Sequence, residues 1–257
     1  MQESRILVWD LATRVFHWTF ALGFAAAAVL ALLVGEHSPY FPYHAIIGLT
    51  LVVMVVLRVV WGLIGTRYAR FASFVYGPGA IIAYSRGVLT GKGARHVGHN
   101  PGSSVAIFLM LALMLGLGVT GYMMATGTRG IKEVHELMSY AMLGVIGVHV
   151  LGVIVHTVRH RENITASMVH GHKLADPSMA IRSAQPAVAV VLLLIAGAWA
   201  FGLARNYDAA TAQTRVPLLG TLLTLGEGPE GEESERGGSE GRGNHGYEGR
   251  DGDDDDD

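Results

Sequence analysis

The chain has 257 residues, 51% of them hydrophobic and only 16% charged, against about 25% charged in an ordinary soluble domain. The formal charge of −2 hides a split: residues 227–257 carry 13 acidic and 3 basic side chains, whereas the 226 residues before them carry 8 acidic and 16 basic. Cysteine is absent, which excludes disulfides, thiolate zinc sites and Cys-ligated iron–sulfur clusters. It also excludes covalent c-type haem attachment. A basic apolar body with an acidic tail points to lipid as its surroundings and not to nucleic acid.

Five apolar runs are long enough to cross a bilayer, which takes roughly 20 residues. In chain order they cover about 15–35, 44–64, 103–125, 134–158 and 186–204. Backbone polar groups cannot stay unpaired in lipid, so these runs are expected to be helices, and the period-2 alternation of a membrane β-barrel is missing. The first run lacks the short apolar core and small-residue cleavage site of a secretory signal peptide. The expected fold class is all-α, an integral membrane helical bundle.

Lys and Arg in the short loops set the expected orientation. Residues 1–14, 65–102 and 159–185 hold 11 of them, whereas 36–43 and 126–133 hold only Arg129 and Lys132. The N-terminus is therefore expected on the cytoplasmic side of a bacterial inner membrane, and after five crossings the C-terminus is expected in the periplasm. The acidic tail has few large apolar residues and is expected to be disordered. Its charge suits the attraction of a basic soluble partner.

Twelve histidines occur, and an ionisable side chain within a membrane helix marks a functional site by default. His17, His44, His135, His149 and His156 lie in the spans or at their ends. His135 and His149 are 14 residues apart, which returns the helix to within about 40° of the same face and separates them by about 21 Å in depth. One helix thus offers an imidazole near each membrane surface. Under the topology above, His17 matches the depth of His149, and His44 that of His135. Two imidazoles facing each other across an apolar gap suit a haem iron held axially between helices of a bundle. Zinc and di-iron sites recruit carboxylates, and none lies near His17, His44 or His149 in sequence.

Arg58 follows His44 by 14 residues on nearly the same face and falls at the inner level, where a haem propionate is a natural anion for it. Gly116, Gly118 and Gly121 in the third span, and Gly144, Gly147 and Gly152 in the fourth, leave room for a macrocycle or a neighbouring backbone. His156 lies seven residues beyond His149 on nearly the same face, and spacing alone leaves both open as partner of His17. His37, His96, His99, His160, His170 and His172 fall in loops and are expected to be interfacial or surface residues.

Several stretches together resemble the prokaryotic cytochrome b561 family, which includes the cytochrome b subunits of nickel–iron hydrogenases. They are RILVWDLATRVFHW (Arg5–Trp18), HAIIGL (His44–Leu49), RVVWGLIGTRYARF (Arg58–Phe71), GHNPGS (Gly98–Ser103), the His135/His149 spacing and HRENITASMVHGHK (His160–Lys173). The resemblance covers about residues 5–175. It implies a four-helix core with two haem b groups, ligated by His17, His44, His135 and His149, and it favours His149 over His156. It further implies electron transfer between the quinone pool and a redox partner, often a periplasmic c-type cytochrome or a hydrogenase; some members are superoxide:quinone oxidoreductases. The fifth span and the acidic tail depart from the family pattern.

The resulting expectation is a di-haem core over 1–175, a fifth transmembrane helix over 176–205 and a largely disordered extracytoplasmic tail over 206–257. The pairs are His17/His149 and His44/His135, with Arg58 at the inner cofactor. The expected role is quinone-linked electron transfer to an extracytoplasmic partner such as a c-type cytochrome. The alternatives are superoxide oxidation, with Arg129 and Lys132 attracting the anion, and a membrane anchor subunit of a hydrogenase or another oxidoreductase.

Overall fold

A computed structural model describes residues 3–92 and 95–226. Residues 227–257, with the expectations placed on the acidic tail, lie outside the described residues. Five helices are long and apolar enough to cross a membrane, and they match the five runs in the sequence to within a few residues. They are α1 (Leu11–Val29, continued by a π turn over Leu30–Val34), α2 (Pro42–Ile64), α4 (Pro101–Ala125), α5 (Lys132–His160) and α7 (Pro186–Arg205). Their starts are marked chemically. Asp10 caps α1 by accepting from the Thr13 amide at 2.7 Å, Asn100 caps α4 by accepting from Ser103 at 2.8 Å, and α2, α4 and α7 open on proline. Proline serves at a helix start because the amide it lacks would have no partner there.

Close packing joins α1 to α2, α2 to α4, α4 to α5, and α7 to both α1 and α2. Helix α5 leans on α4 and has no comparable packing against α1 or α2. The shared core lies at mid-depth, where Leu51, Met54 and Val55 of α2 meet Leu111, Met114 and Leu117 of α4, Met142 of α5 and Ala196 of α7. Glycines of α4 admit neighbouring side chains into this core: a Cβ at Gly116 would meet Met138, and one at Gly118 would meet Val52. Gly144, Gly147 and Gly152 face open space.

The segments between spans hold more structure than the sequence suggested. Residues 65–102, expected as loop, contain the helical turn Phe71–Ser73 and helix α3 (Pro78–Thr90). Residues 159–185 contain α6 (Ile164–His170) and strand β2 (His172–Ala175), which pairs antiparallel with β1 (Ser4–Leu7). This small sheet caps the end of the bundle where α1 begins. Gly171, at φ +86°, turns the chain into β2, and its carbonyl accepts from Val8 and Trp9; any side chain there would meet the Trp9 carbonyl at 2.9 Å.

The expected tail starts too early at 206. Strands β3 (Gln213–Arg215) and β4 (Leu222–Thr224) form a hairpin at the other end of the bundle. Val216, Leu223 and Leu225 pack with Leu203 of α7 and Ile46 of α2. These few apolar residues suffice because the helix ends offer a partner surface that composition does not reveal.

Candidate functional site

The four histidines fall at two levels, one near each end of the bundle. On α5, His135 and His149 share a face with Met142, which stands midway between them and is fully buried. Leu51 of α2 stands midway between His44 and Arg58 in the same way, 2% exposed. The mid-depth core thus separates the two levels.

At the end away from the N-terminus, the His44 and His135 rings have centroids 6.3 Å apart and planes at 74°. His44 Nδ1 lies 2.9 Å from the Ala27 carbonyl, just before α1 widens into its π turn. A carbonyl only accepts, so Nδ1 carries the hydrogen. His135 Nδ1 lies 2.8 Å from Thr120 Oγ1, whose own proton goes back to the Gly116 carbonyl at 2.9 Å. His135 Nδ1 is therefore the donor as well. Both rings are held as tautomers that leave Nε2 as a lone-pair ligand, the arrangement by which outer partners orient metal-binding histidines. An imidazole binds a first-row metal at about 2.0–2.1 Å, so a metal between two coaxial rings separates their centres by about 6.4 Å. The observed spacing fits that value.

At the N-terminal end, His17 and His149 come within electrostatic reach of each other. His17 Nδ1 is sealed from solvent and has no hydrogen-bond partner. Arg58 is 4% exposed and does not snorkel to the surface. Its Nη2 donates to the Ala69 carbonyl at 3.0 Å, its guanidinium lies over the Phe71 ring, and its Nη1 has no partner. The sequence reading asked which anion balances this charge and overlooked Asp10, which is fully buried and within electrostatic reach of Arg58. Asp10 accepts from the Thr13 amide, from Trp61 Nε1 at 3.3 Å and from the Thr66 hydroxyl. The signal was available: an acid directly before an apolar run is a helix cap, and a cap at this depth faces the end of α2.

His156 is engaged elsewhere. It is 7% exposed, its Nε2 lies 3.6 Å from Glu162, and its ring is 4.5 Å from that of His160. Glu162 also meets Arg95 at 3.2 Å and Lys173 at 3.3 Å. Burial alone would raise the Glu162 carboxyl, but His156, Lys173 and Arg95 hold it down at about 2. The cluster ties the end of α5 to β2 and to the segment before α4.

His99, expected at the surface, is instead half-buried against the N-terminal site. Its ring packs 4.7 Å from Trp9 and 4.5 Å from Phe74, and Nε2 is sealed from solvent without a partner. The sequence placed it in a loop correctly, but the fold of residues 65–102 carries that loop inward. At the other end, Lys132, expected to attract an anion, already has one: its Nζ lies 2.7 Å from Glu36.

Among the described residues, no group of three or more His, Asp or Glu side chains is placed to hold a bare metal ion. The imidazoles come in twos, across the gap that α5 leaves toward α1 and α2. That donor set and that gap suit a flat macrocycle carrying its own four equatorial ligands.

The chain belongs to the prokaryotic cytochrome b561 family, whose description matches residues 8–171. A curated relative from Rhizobium leguminosarum bv. viciae, described as a probable Ni/Fe-hydrogenase B-type cytochrome subunit, is 23% identical over 218 residues, covering 68% of this chain and 91% of its own length. No solved structure matches the chain. The protein is a multi-pass membrane cytochrome of b type that binds haem b and takes part in electron transfer. The residues present fit that cofactor: two oriented imidazoles at one end, and unpartnered buried donors on His17, His99 and Arg58 at the other.

Proposed function

We propose that this cytochrome carries electrons across the bilayer through two haem b groups, one held by His44 and His135 and the other by His17 and His149. The observation that carries the reading is the His44/His135 pair, with ring centres 6.3 Å apart and both Nδ1 atoms engaged. The chain's own residues do three things. They hold His44 and His135 in the tautomer that presents Nε2, they exclude water with the Leu51–Met142 layer between the levels, and they place Arg58 as a donor to a haem propionate. When bound, a haem with two imidazole ligands supplies a one-electron carrier with no open coordination position, which favours electron transfer over oxygen chemistry.

The excess of Lys and Arg in the segments at the N-terminal end supports a cytoplasmic N-terminus in an inner membrane. Exchange is then between membrane quinone and an extracytoplasmic redox protein such as a c-type cytochrome, with the acidic residues 227–257 steering a basic partner. A second reading has a specific observation in its favour: the Rhizobium relative is described as a hydrogenase cytochrome subunit, so membership of a membrane oxidoreductase complex competes with a freely diffusing partner.

Pyridine haemochrome quantification on the purified protein tests the core of the proposal. Two haems per chain, reduced by a quinol analogue, is the expected result, and one or none would overturn it. Electron transfer to a basic cytochrome should slow sharply with salt and on deletion of residues 227–257. Co-purification of a hydrogenase or other oxidoreductase, with indifference to salt and to the tail, would favour the second reading.

A further inference from the structure

Two buried donors at the N-terminal end have no acceptor. Arg58 Nη1 and His99 Nε2 are both sealed from solvent and without a hydrogen-bond partner among the described residues, and His99 lies within electrostatic reach of Arg58, His17 and His149. Their positions are well determined. Arg58 is fixed by the Ala69 carbonyl and the Phe71 ring, and His99 by Trp9 and Phe74 on either side. Asp10, the nearby acid, already accepts from Thr13, Trp61 and Thr66. A buried donor left unmade costs about 1–3 kcal/mol, and more when it is charged. An unpartnered guanidinium nitrogen and a neighbouring imidazole that carries its hydrogen on Nε2 are the complement of a carboxylate.

We propose that His99 is a binding residue for the cofactor at the N-terminal end, donating from Nε2 to the same haem propionate that Arg58 receives. This rests on the reading above that His17 and His149 hold a haem there. Burial keeps the His99 imidazole neutral by pushing its ionisation well below the ordinary histidine range, with Arg58, His149, Lys173 and His17 adding in the same direction. It acts as a neutral donor, and Arg58 supplies the charge. The propionate would give Arg58 Nη1 the acceptor that Asp10, occupied by Thr13, Trp61 and Thr66, does not supply, and the Trp9–Phe74 slot prevents the His99 ring from turning to water instead.

The test uses the full-length protein with two ring-sized substitutions. His99→Phe fills the slot without a donor, and His99→Gln restores one. In His99→Phe, one of the two haems should dissociate to apomyoglobin about tenfold faster or more, as expected for loss of a hydrogen bond to a charged group. Its midpoint potential should fall, and the haem of His44 and His135 should be unchanged. His99→Gln should recover most of the difference. Reconstitution with the iron porphyrin dimethyl ester, which lacks the free carboxylate, should make wild type and His99→Phe release the ligand at the same rate. If two haems bind and His99→Phe releases both as wild type does, or if the ester leaves the difference intact, the role of His99 is overturned while the di-haem reading stands. If wild type never binds the second haem, the parent reading fails first. If His99→Phe does not accumulate, His99→Leu, which likewise lacks a donor, takes its place in both the His99→Gln and the ester comparison.

Discussion

The two ends of the bundle solve the same problem differently. At the His44/His135 end the imidazoles are set by neutral hydrogen bonds to neighbouring helices, Ala27 O for one ring and Thr120 Oγ1 for the other. At the His17/His149 end the surroundings are charged and unfinished, with Arg58 within electrostatic reach of Asp10 and with nitrogens on His17, His99 and Arg58 that lack partners among the described residues. A neutral site can be completed by the protein alone. A site whose buried guanidinium has Asp10 within electrostatic reach but one nitrogen without an acceptor is left incomplete, and its free donors describe the missing group. The caps differ to match: an ion cluster around Glu162 closes the N-terminal end, and an apolar hairpin closes the other.

The largest effects should come from the ligands. His44→Ala and His135→Ala should each lose one and the same haem, and His17→Ala and His149→Ala the other, taking the pyridine haemochrome stoichiometry from two per chain to one. Spectral overlap between variants from different pairs would break the division into two ends. Next in size is Arg58→Ala, which strips the countercharge from buried Asp10. Breaking a buried pair costs about 3–5 kcal/mol, so the thermal midpoint in detergent should fall markedly, and it should fall even in protein prepared without haem. Thr120→Val removes the acceptor for His135 Nδ1 and should weaken haem retention at that end alone by about 10–100-fold.

The smallest effect concerns the charged cap. The Glu162 carboxyl is depressed from an ordinary value of 4.5 to about 2. A depressed acid contributes stability that is fully present above the ordinary value and is lost as pH falls through the depressed one. Acidification from pH 5 to pH 2 should therefore loosen β1 and β2 toward hydrogen exchange. Groups facing Glu162 are His156, Lys173 and Arg95, and Arg95 also pairs with Glu3 at 3.1 Å. Glu162→Gln should exchange faster at pH 7 and flatten that pH response. An unchanged profile would mean that the cluster is too solvated to matter, as exposed ion pairs often are.

The chain written out was enough for the spans and the depth of each histidine. A helix in lipid must satisfy its own backbone, so 20 apolar residues define it without help, and a 14-residue spacing sets both face and depth by helix geometry. Those rules are local, and local rules survive folding. The choice between His149 and His156 was not legible in spacing, since both lie on one face; the family resemblance favoured His149, and in the fold His156 lies beside Glu162 from the next turn of chain. Arg58 announced itself by its charge in an apolar run, but its neighbour Asp10 lies 48 positions away, brought near by the packing of α1 on α2. His99 was misplaced for the same reason. Nothing in GHNPGS says that the chain around α3 folds back against Trp9 and Phe74, because that path depends on surfaces made by helices distant in sequence. The proposed ligands are properties of single helices, whereas the shell around them is a property of their assembly.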